Sequence, residues 1–409
     1  MLIQYSVSNY CSIKDELTIN FTANETSKKD EWIVTLGDEG YHLYKGIGLL
    51  GPNASGKTNI LDSFYFAVRF IKNTINRRKE STIKVVPFLL DDHSKNAGSS
   101  FEFIYISGGI KYVYGFMLNK HRVEEEYLLA YYSAKPTTVF ERTDCNTYHF
   151  KGNDVKLQKE LSNRTNENRL YMPVAAEWGY EKLVAAYEWF SHLLDQNEDK
   201  TIEEMTASVI EDETKKQSLI DNLRKADFNI CDIHVDKKEL NKAQINLVSE
   251  LVQKLMPNVE IDQIDKSRLV IIVSHENSNG VKFDINLKMD SSGTENIVGN
   301  MAELLYLSKN GGLILEDELG NSYHSKLTEH YLNMIKDRDT NPGNVQMLFS
   351  THDTKVLGFL NPGQIYLVDK DDQGATVVKL LDDFVIREKD NIELGYLKGR
   401  YGAIPHMKR

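Results

Sequence analysis

From its first residues the chain alternates apolar and polar positions in short runs. "LIQYSV", "ELTINF" and "GIGLL" are rich in β-formers and bounded by polar or Gly residues, so each predicts a strand. At "GIGLLGPNASGKT" an apolar run passes through a Gly-containing turn into helical spacing. From Asn59 to about Asn76 apolar residues recur at Leu61, Phe64, Val68 and Ile71, which predicts a helix with one face buried on the sheet. Between Val85 and Tyr132, "FEFIYI", "KYVYGFML" and "EEEYLLAYY" read as strands separated by Gly or polar turns, an antiparallel layer added to the core.

Near Lys151 the pattern changes. As far as about Leu255 the chain is charged and helix-like: "YEKLVAAYEWFSHLL" has helical spacing, and "TIEEMTASVIEDETKKQSLIDNLRK" opens with a Thr201/Glu204 capping-box pattern. No heptad is sustained there, and about 100 residues folded back at ~1.5 Å per residue cannot form long coiled-coil arms. Strand patterns return with "RLVIIVSH" and "VKFDINLKM", a hairpin through "ENSNG". "DSSGTENIVGNMAELLYLSK" predicts a turn and an amphipathic helix, and "GGLILEDELG" a buried strand ending in acids. A helix follows around Lys326 to Lys336, then a second buried strand, "VQMLFSTHD", and a hairpin, "QIYLVDKDDQGATVVKLL". The expected organisation is residues 1–150 as the first half of a core with the antiparallel layer, 151–265 as a helical insert, and 266–409 as the second half of that core.

The 409 residues are enough for two or three domains, with 41% hydrophobic residues. A net charge of −11 argues against a surface that coats nucleic acid throughout, while leaving room for a local basic patch. Cys11, Cys145 and Cys231 are far apart and form no CxxC or Cys/His group, so neither a disulfide framework nor a zinc site is expected. With no signal-like N-terminus and no run of about 18 apolar residues, the expectation is a soluble cytoplasmic protein with no membrane partner.

Gly51 to Thr58, "GPNASGKT", matches the G-x-x-x-x-G-K-[ST] phosphate loop and stands where that loop must, after an apolar strand and opening a helix. Backbone N–H groups of Asn53, Ala54, Ser55, Gly56, Lys57, Thr58 and Asn59 are candidates to face phosphates, aided by the helix dipole. Lys57 is the candidate for the β and γ phosphates, and Thr58 for Mg²⁺. "LILEDE" ends a hydrophobic strand in adjacent carboxylates, with Asp317 the candidate metal holder and Glu318 the candidate for polarising the attacking water. "SSGTE", Ser291 to Glu295, is explained locally as a helix start with Ser292 and Glu295 at capping-box spacing; its place before Asp317 makes Ser292 and Gly293 candidate phosphate readers for a second subunit. In "FSTHD", His352 follows a buried strand and is the candidate γ-phosphate sensor.

The order "GPNASGKT", "SSGTE", "LILEDELGNSYH", "FSTHD", with the opening "VSNYCSIKDELTINF", resembles ABC-type ATPases of the SMC/RecF/OLD class. It is more closely similar to the compact AAA-type ATPases of bacterial abortive-infection and phage-defence operons, the RloA/AbiL type. "LRKADFNICDI" and the tail "YLKGRYGAIP" share that likeness. The resemblance implies an α/β fold, a P-loop NTPase of ABC/SMC-head type with an antiparallel β layer and a helical insert. It implies ATP and Mg²⁺ as cofactors, ATP hydrolysis, and a homodimer or higher homo-oligomer whose heads sandwich ATP head to tail. Ser292 and Gly293 then touch the γ-phosphate in trans. A separately encoded effector nuclease or toxin is the implied partner. "SSGTE" departs from the transporter consensus LSGGQ, and no Q-loop glutamine stands out.

"VDKDD", Val368 to Asp372, is read as turn chemistry rather than a nuclease DxD. "NRRKE", Asn76 to Glu80, and the terminal "HMKR" lack interleaved aromatics and are read as solvated, so a nucleic-acid partner is possible but not indicated by charge. Trp178, Tyr187 and Trp189 are expected in a core or partner interface, and His275 as structural. Two other classes stay open, a RecF/SMC-like DNA-binding repair ATPase and a scaffold that uses ATP as glue with little turnover.

Overall fold

The computed structural model describes residues 1–23, 30–36, 40–151, 154–193, 201–239, 245–246, 267–387 and 390–405. They fall into two compact units: Met1–Asp195, Asn310–Asn321 and Leu332–Arg409 form the first, and Gln196–Lys309 and Ser322–Tyr331 the second. In chain order, β1 (Leu2–Ser8), β2 (Leu17–Asn20), β3 (Ile33–Leu36), β4 (Tyr41–Tyr44) and β5 (Gly46–Leu50) lead into α1 (Lys57–Asn73). The strands β6 (Ser99–Ser107), β7 (Ile110–Leu118), β8 (Val123–Tyr131), β9 (Thr137–Thr143) and β10 (Thr147–Phe150) precede α2 (Val155–Ser162), α3 (Tyr171–Glu177) and α4 (Glu181–Ser191). Next come α5 (Ile202–Glu211), α6 (Glu213–Lys225), β11 (Ile230–Glu239), β12 (Ser267–Glu276), β13 (Lys282–Asn286) and α7 (Ser292–Leu307). The remainder is β14 (Leu313–Glu316), α8 (Ser325–Lys336), β15 (Gln346–Thr351), β16 (Ile365–Lys370), β17 (Thr376–Leu380) and α9 (Ile392–Leu397).

The first unit holds the nucleotide-fold core, a five-stranded sheet in the order β14-β15-β5-β16-β17. Its first four strands are parallel and only β17 runs against its neighbour. Every residue of β5 and β15 is buried, the continuous apolar run that parallel strands covered on both faces require. Helix α1 buries Ile60, Leu61, Phe64, Ala67, Val68 and Ile71 on one side, the face the spacing predicted. The second sheet is antiparallel throughout, β10-β9-β8-β7-β6-β1-β2. It meets α1 through rings: Tyr5 lies edge-on to Phe64 at 4.8 Å, and Phe64 edge-on to Phe103 at 5.3 Å. The fold is therefore a P-loop α/β core with an added antiparallel β layer, as expected. No helix among the described residues is long and apolar enough to cross a membrane.

The segment expected as one helical insert, 151–265, is divided. Helices α2–α4 belong to the first unit, where Tyr105 stacks on Trp189 and meets Phe190 edge-on. In the second unit α5 carries the Thr201/Glu204 capping box, but residues 230–239 form a strand where helix was expected. Ile233 and Val235 pair with Val273 and Ile271 of β12, so a long-range ladder overrides the charged, helix-like local composition. The β12–β13 hairpin is present as read. Residues 240–265, apart from 245–246, and the terminal "HMKR" lie outside the described residues.

Helix α3 is anchored by a buried charge. Glu126 accepts hydrogen bonds from the Tyr171 and Met172 N–H groups at 2.6 and 2.9 Å and from the Tyr114 hydroxyl at 3.0 Å, and Arg142 lies 3.6 Å away with both side chains fully buried. Burial raises the Glu126 pKa, against the pull of Arg142 and these donors. Removing the guanidinium leaves that carboxylate without its countercharge. Arg142→Ala should destabilise the protein by roughly 3–5 kcal/mol in urea unfolding, and the joint replacement Glu126→Gln with Arg142→Met should recover part of the loss.

Candidate functional site

The loop between β5 and α1 is shaped by two positions that admit no side chain. A Cβ at Gly51 would lie 2.1 Å from the Val368 carbonyl oxygen, and one at Gly56 would lie 2.0 Å from the Thr376 hydroxyl oxygen. Gly56 also has φ 107°, a conformation that L side chains rarely adopt. The loop thus presses on the β16–β17 hairpin with its backbone. The Thr376 hydroxyl donates to the Ser55 carbonyl at 3.0 Å and lies 2.7 Å from the Ser12 hydroxyl, which in turn accepts from Asn59 Nδ2 at 2.6 Å.

A cavity of about 380 Å³ opens over this loop, lined by Asn53, Ala54, Gly56, Lys57, Thr58, Asn59, Asp317, Glu318 and His352. Three of the sequence segments singled out by their chemistry supply it, "GPNASGKT", "LILEDE" and "FSTHD", from beyond the C-terminal ends of β5, β14 and β15 and from the start of α1; "SSGTE" supplies none of its lining. The Lys57 Nζ donates to the Gly51 and Pro52 carbonyls, both at 2.9 Å. Burial lowers its pKa, and Asp317 and Glu318 pull it back up. The Thr58 hydroxyl donates to Asp317 Oδ2 at 2.8 Å, and the Ser350 hydroxyl donates to Asp317 Oδ1. Glu318 has φ 59°; its N–H donates to Ser350 Oγ at 2.8 Å and its carboxylate accepts from Asn321 Nδ2 at 2.6 Å.

The donor set fits a hard divalent cation. A threonine hydroxyl and a carboxylate in contact are the oxygen ligands that Mg²⁺ takes beside substrate phosphates. No group of three or more His, Cys, Asp or Glu side chains that could hold a metal occurs among the described residues.

Ser55 lies beneath the loop with a buried hydroxyl rather than lining the cavity. Ser292 and Gly293 lie in the second unit and open α7. The cap there differs from the expectation: Ser291, not Ser292, is the N-cap, its hydroxyl accepting from Thr294 N–H at 3.1 Å. Ser292 is then the first helical residue, and its side chain has no capping task. Sequence reading missed Ser350, Ser12, Thr376 and Asn321, which hold the singled-out side chains; Ser350 alone carried a local signal, two positions before His352 on the same strand end. Asp369 of "VDKDD" accepts from the Ala403 N–H at 3.1 Å, tying down the tail, and Asp371 caps the hairpin turn through the Gln373 and Ala375 N–H groups. His275 pairs with Asp290 at 3.3 Å and stacks on Phe283.

A family model described as "AAA domain, putative AbiEii toxin, Type IV TA system" matches residues 47–358. No curated protein matches the chain. Among solved structures, an Smc head bound to the C-terminal winged-helix domain of ScpA superposes with a TM-score of 0.41 at 11% identity, covering 92% of this chain and 96% of that one. An Smc head with an extended coiled coil, bound to the C-terminal domain of ScpA derived from Pyrococcus furiosus, gives 0.37 at 12% identity, covering 93% and 97%.

Burial and then the charge of Lys57 hold the His352 pKa below the ordinary imidazole value of 6.5, against Glu318 and Asp317. A depressed folded-state pKa favours the neutral ring, so the linked stability is complete above 6.5 and falls away as pH drops toward the folded value. An NMR titration of the imidazole should show the depressed value, and Lys57→Ala should move it upward.

Proposed function

The chain belongs to this AAA-domain family, a family of ATPases, and from that premise we propose that it binds ATP with Mg²⁺ and hydrolyses it as a molecular switch. The observation that carries the reading is the single cavity in which Lys57, Thr58, Asp317, Glu318 and His352 meet. In this reading the N–H groups from Asn53 to Asn59 receive the phosphates, and Lys57 exchanges the Gly51 and Pro52 carbonyls for the β and γ phosphate oxygens. Thr58 and Asp317 hold Mg²⁺, which when bound neutralises charge on the β and γ phosphates.

Glu318 accepts a proton from the water that attacks the γ-phosphorus, the bond to the bridging oxygen breaks, and ADP leaves with that electron pair. The strained backbone at Glu318 is supported by Ser350 and Asn321, which aims the carboxylate into the cavity. A neutral His352 hydrogen-bonds the γ-phosphate and so distinguishes ATP from ADP.

The cavity in one chain supplies one side of the phosphates. We assign Ser292 and Gly293 of a second copy to the other side, with head-to-tail dimers forming around ATP and separating on hydrolysis. Such a cycle suits the control of a separately encoded effector in anti-phage abortive infection, the setting that the sequence resemblance implies.

Glu318→Gln should bind ATP normally, accumulate ATP-dependent dimers in size-exclusion chromatography with light scattering, and lose roughly 10²–10⁴-fold in turnover; unchanged turnover would refute the role of Glu318. Turnover per chain should rise with protein concentration in the wild type and stay low at every concentration in Gly293→Glu. A rate indifferent to both would exclude the shared site.

A further inference from the structure

A second cavity lies in the first unit, away from the phosphate loop. It measures about 340 Å³ and is lined by Ile75, Arg164, Arg169, Val174, Glu177 and Trp178. Trp178, expected in a core or partner interface, is 59% exposed and so is not core, whereas Trp32 and Trp189 are buried. The Arg164 guanidinium stands 4.1 Å from the centre of the Trp178 ring. The basic run "NRRKE" is bound to the same place. Arg169 Nε donates to the Arg77 carbonyl at 2.9 Å, and Asn168 Nδ2 donates to the Arg78 and Ser81 carbonyls at 2.8 and 2.9 Å.

The fold therefore supplies the aromatic that "NRRKE" lacked in the sequence. Arg78, Lys79 and Arg164 are exposed, and among the described residues none of Arg77, Arg78, Lys79, Arg164 and Arg169 makes an ion pair. Arg78, Lys79 and Arg164, with Arg169 in the lining, form a local electropositive site on a chain of net charge −11, beside the exposed Glu80 that ends the run. Glu177 is the one carboxylate among the lining residues.

We propose that this pocket binds single-stranded nucleic acid, one base stacking on the Trp178–Arg164 pair while the surrounding cations take the flanking phosphates. Cations alone suffice for a duplex backbone, whereas an exposed indole braced by a guanidinium offers a flat face on which an unstacked base can lie. Duplex bases are already stacked on each other, whereas single-strand bases are available. A single aromatic reads no base edge, so binding is tolerant of sequence and steep in salt. The site is independent of the ATP-switch reading, since it shares no residue with the phosphate-loop cavity.

The test is fluorescence anisotropy with a labelled oligothymidylate of about 15 nucleotides, a span one such site can cover, against a duplex of equal length. Binding of the single strand should weaken with salt and quench the tryptophan emission, which Trp178 alone exposes. Trp178→Ala should lower affinity roughly five- to a hundredfold, Trp178→Phe should keep most of it, and neither should change ATP turnover in the absence of nucleic acid. The proposal is overturned if the single strand does not bind at low salt, if the duplex binds as tightly, or if Trp178→Ala binds like the wild type.

Discussion

Asp317 receives a hydroxyl on each of its carboxylate oxygens, one from Thr58 at the start of α1 and one from Ser350 at the end of β15. These three residues are far apart in the chain and stand at or beyond the C-terminal ends of three adjoining parallel strands, Asp317 just after β14, Ser350 at the end of β15 and Thr58 past the loop that follows β5. Parallel strands end on the same side, so their C-terminal loops converge there, which is where ligands bind in open α/β sheets. Ser350 has a second duty, because its oxygen accepts the Glu318 N–H and its carbonyl accepts the Leu319 N–H. One serine thus holds both the Asp317 carboxylate and the unusual backbone that presents Glu318.

The phosphate loop is held on its other flank by backbone proximity rather than by side-chain volume. Gly51 and Gly56 let the loop approach β16 and β17, and Ser12, Asn59 and Thr376 close the contact with hydroxyl and amide hydrogen bonds. Ser12 sits in the turn between β1 and β2, so the antiparallel layer is coupled to the loop through that turn as well as through the rings on α1. The buried Glu126–Arg142 pair lies further along that layer, fixing α3 and with it the turn that carries Trp178.

The strands and helices of the core were readable from local pattern because both kinds of signal there are local. The apolar runs "GIGLL" and "QMLFST" are buried along their whole length, and "GPNASGKT" must be spelled by glycines and a lysine at set spacing whatever surrounds it. Local composition misled at residues 230–239, where charged residues alternate with Ile and Val and pairing with β12 decides the conformation. It also misplaced the α7 cap by one residue, since adjacent serines are equivalent until the backbone enters the helix.

The chain order of residues is enough to specify the phosphate loop, the acidic strand end and the histidine strand end, because each is a contiguous string whose chemistry follows from its own spacing. Their meeting in one cavity, the hydroxyl pair on Asp317, and the gathering of Arg164, Trp178 and "NRRKE" on one surface depend on folding. Hydrogen bonds and stacking between residues tens or hundreds of positions apart leave no periodic trace, and they come into being when sheet order and helix packing bring those residues together.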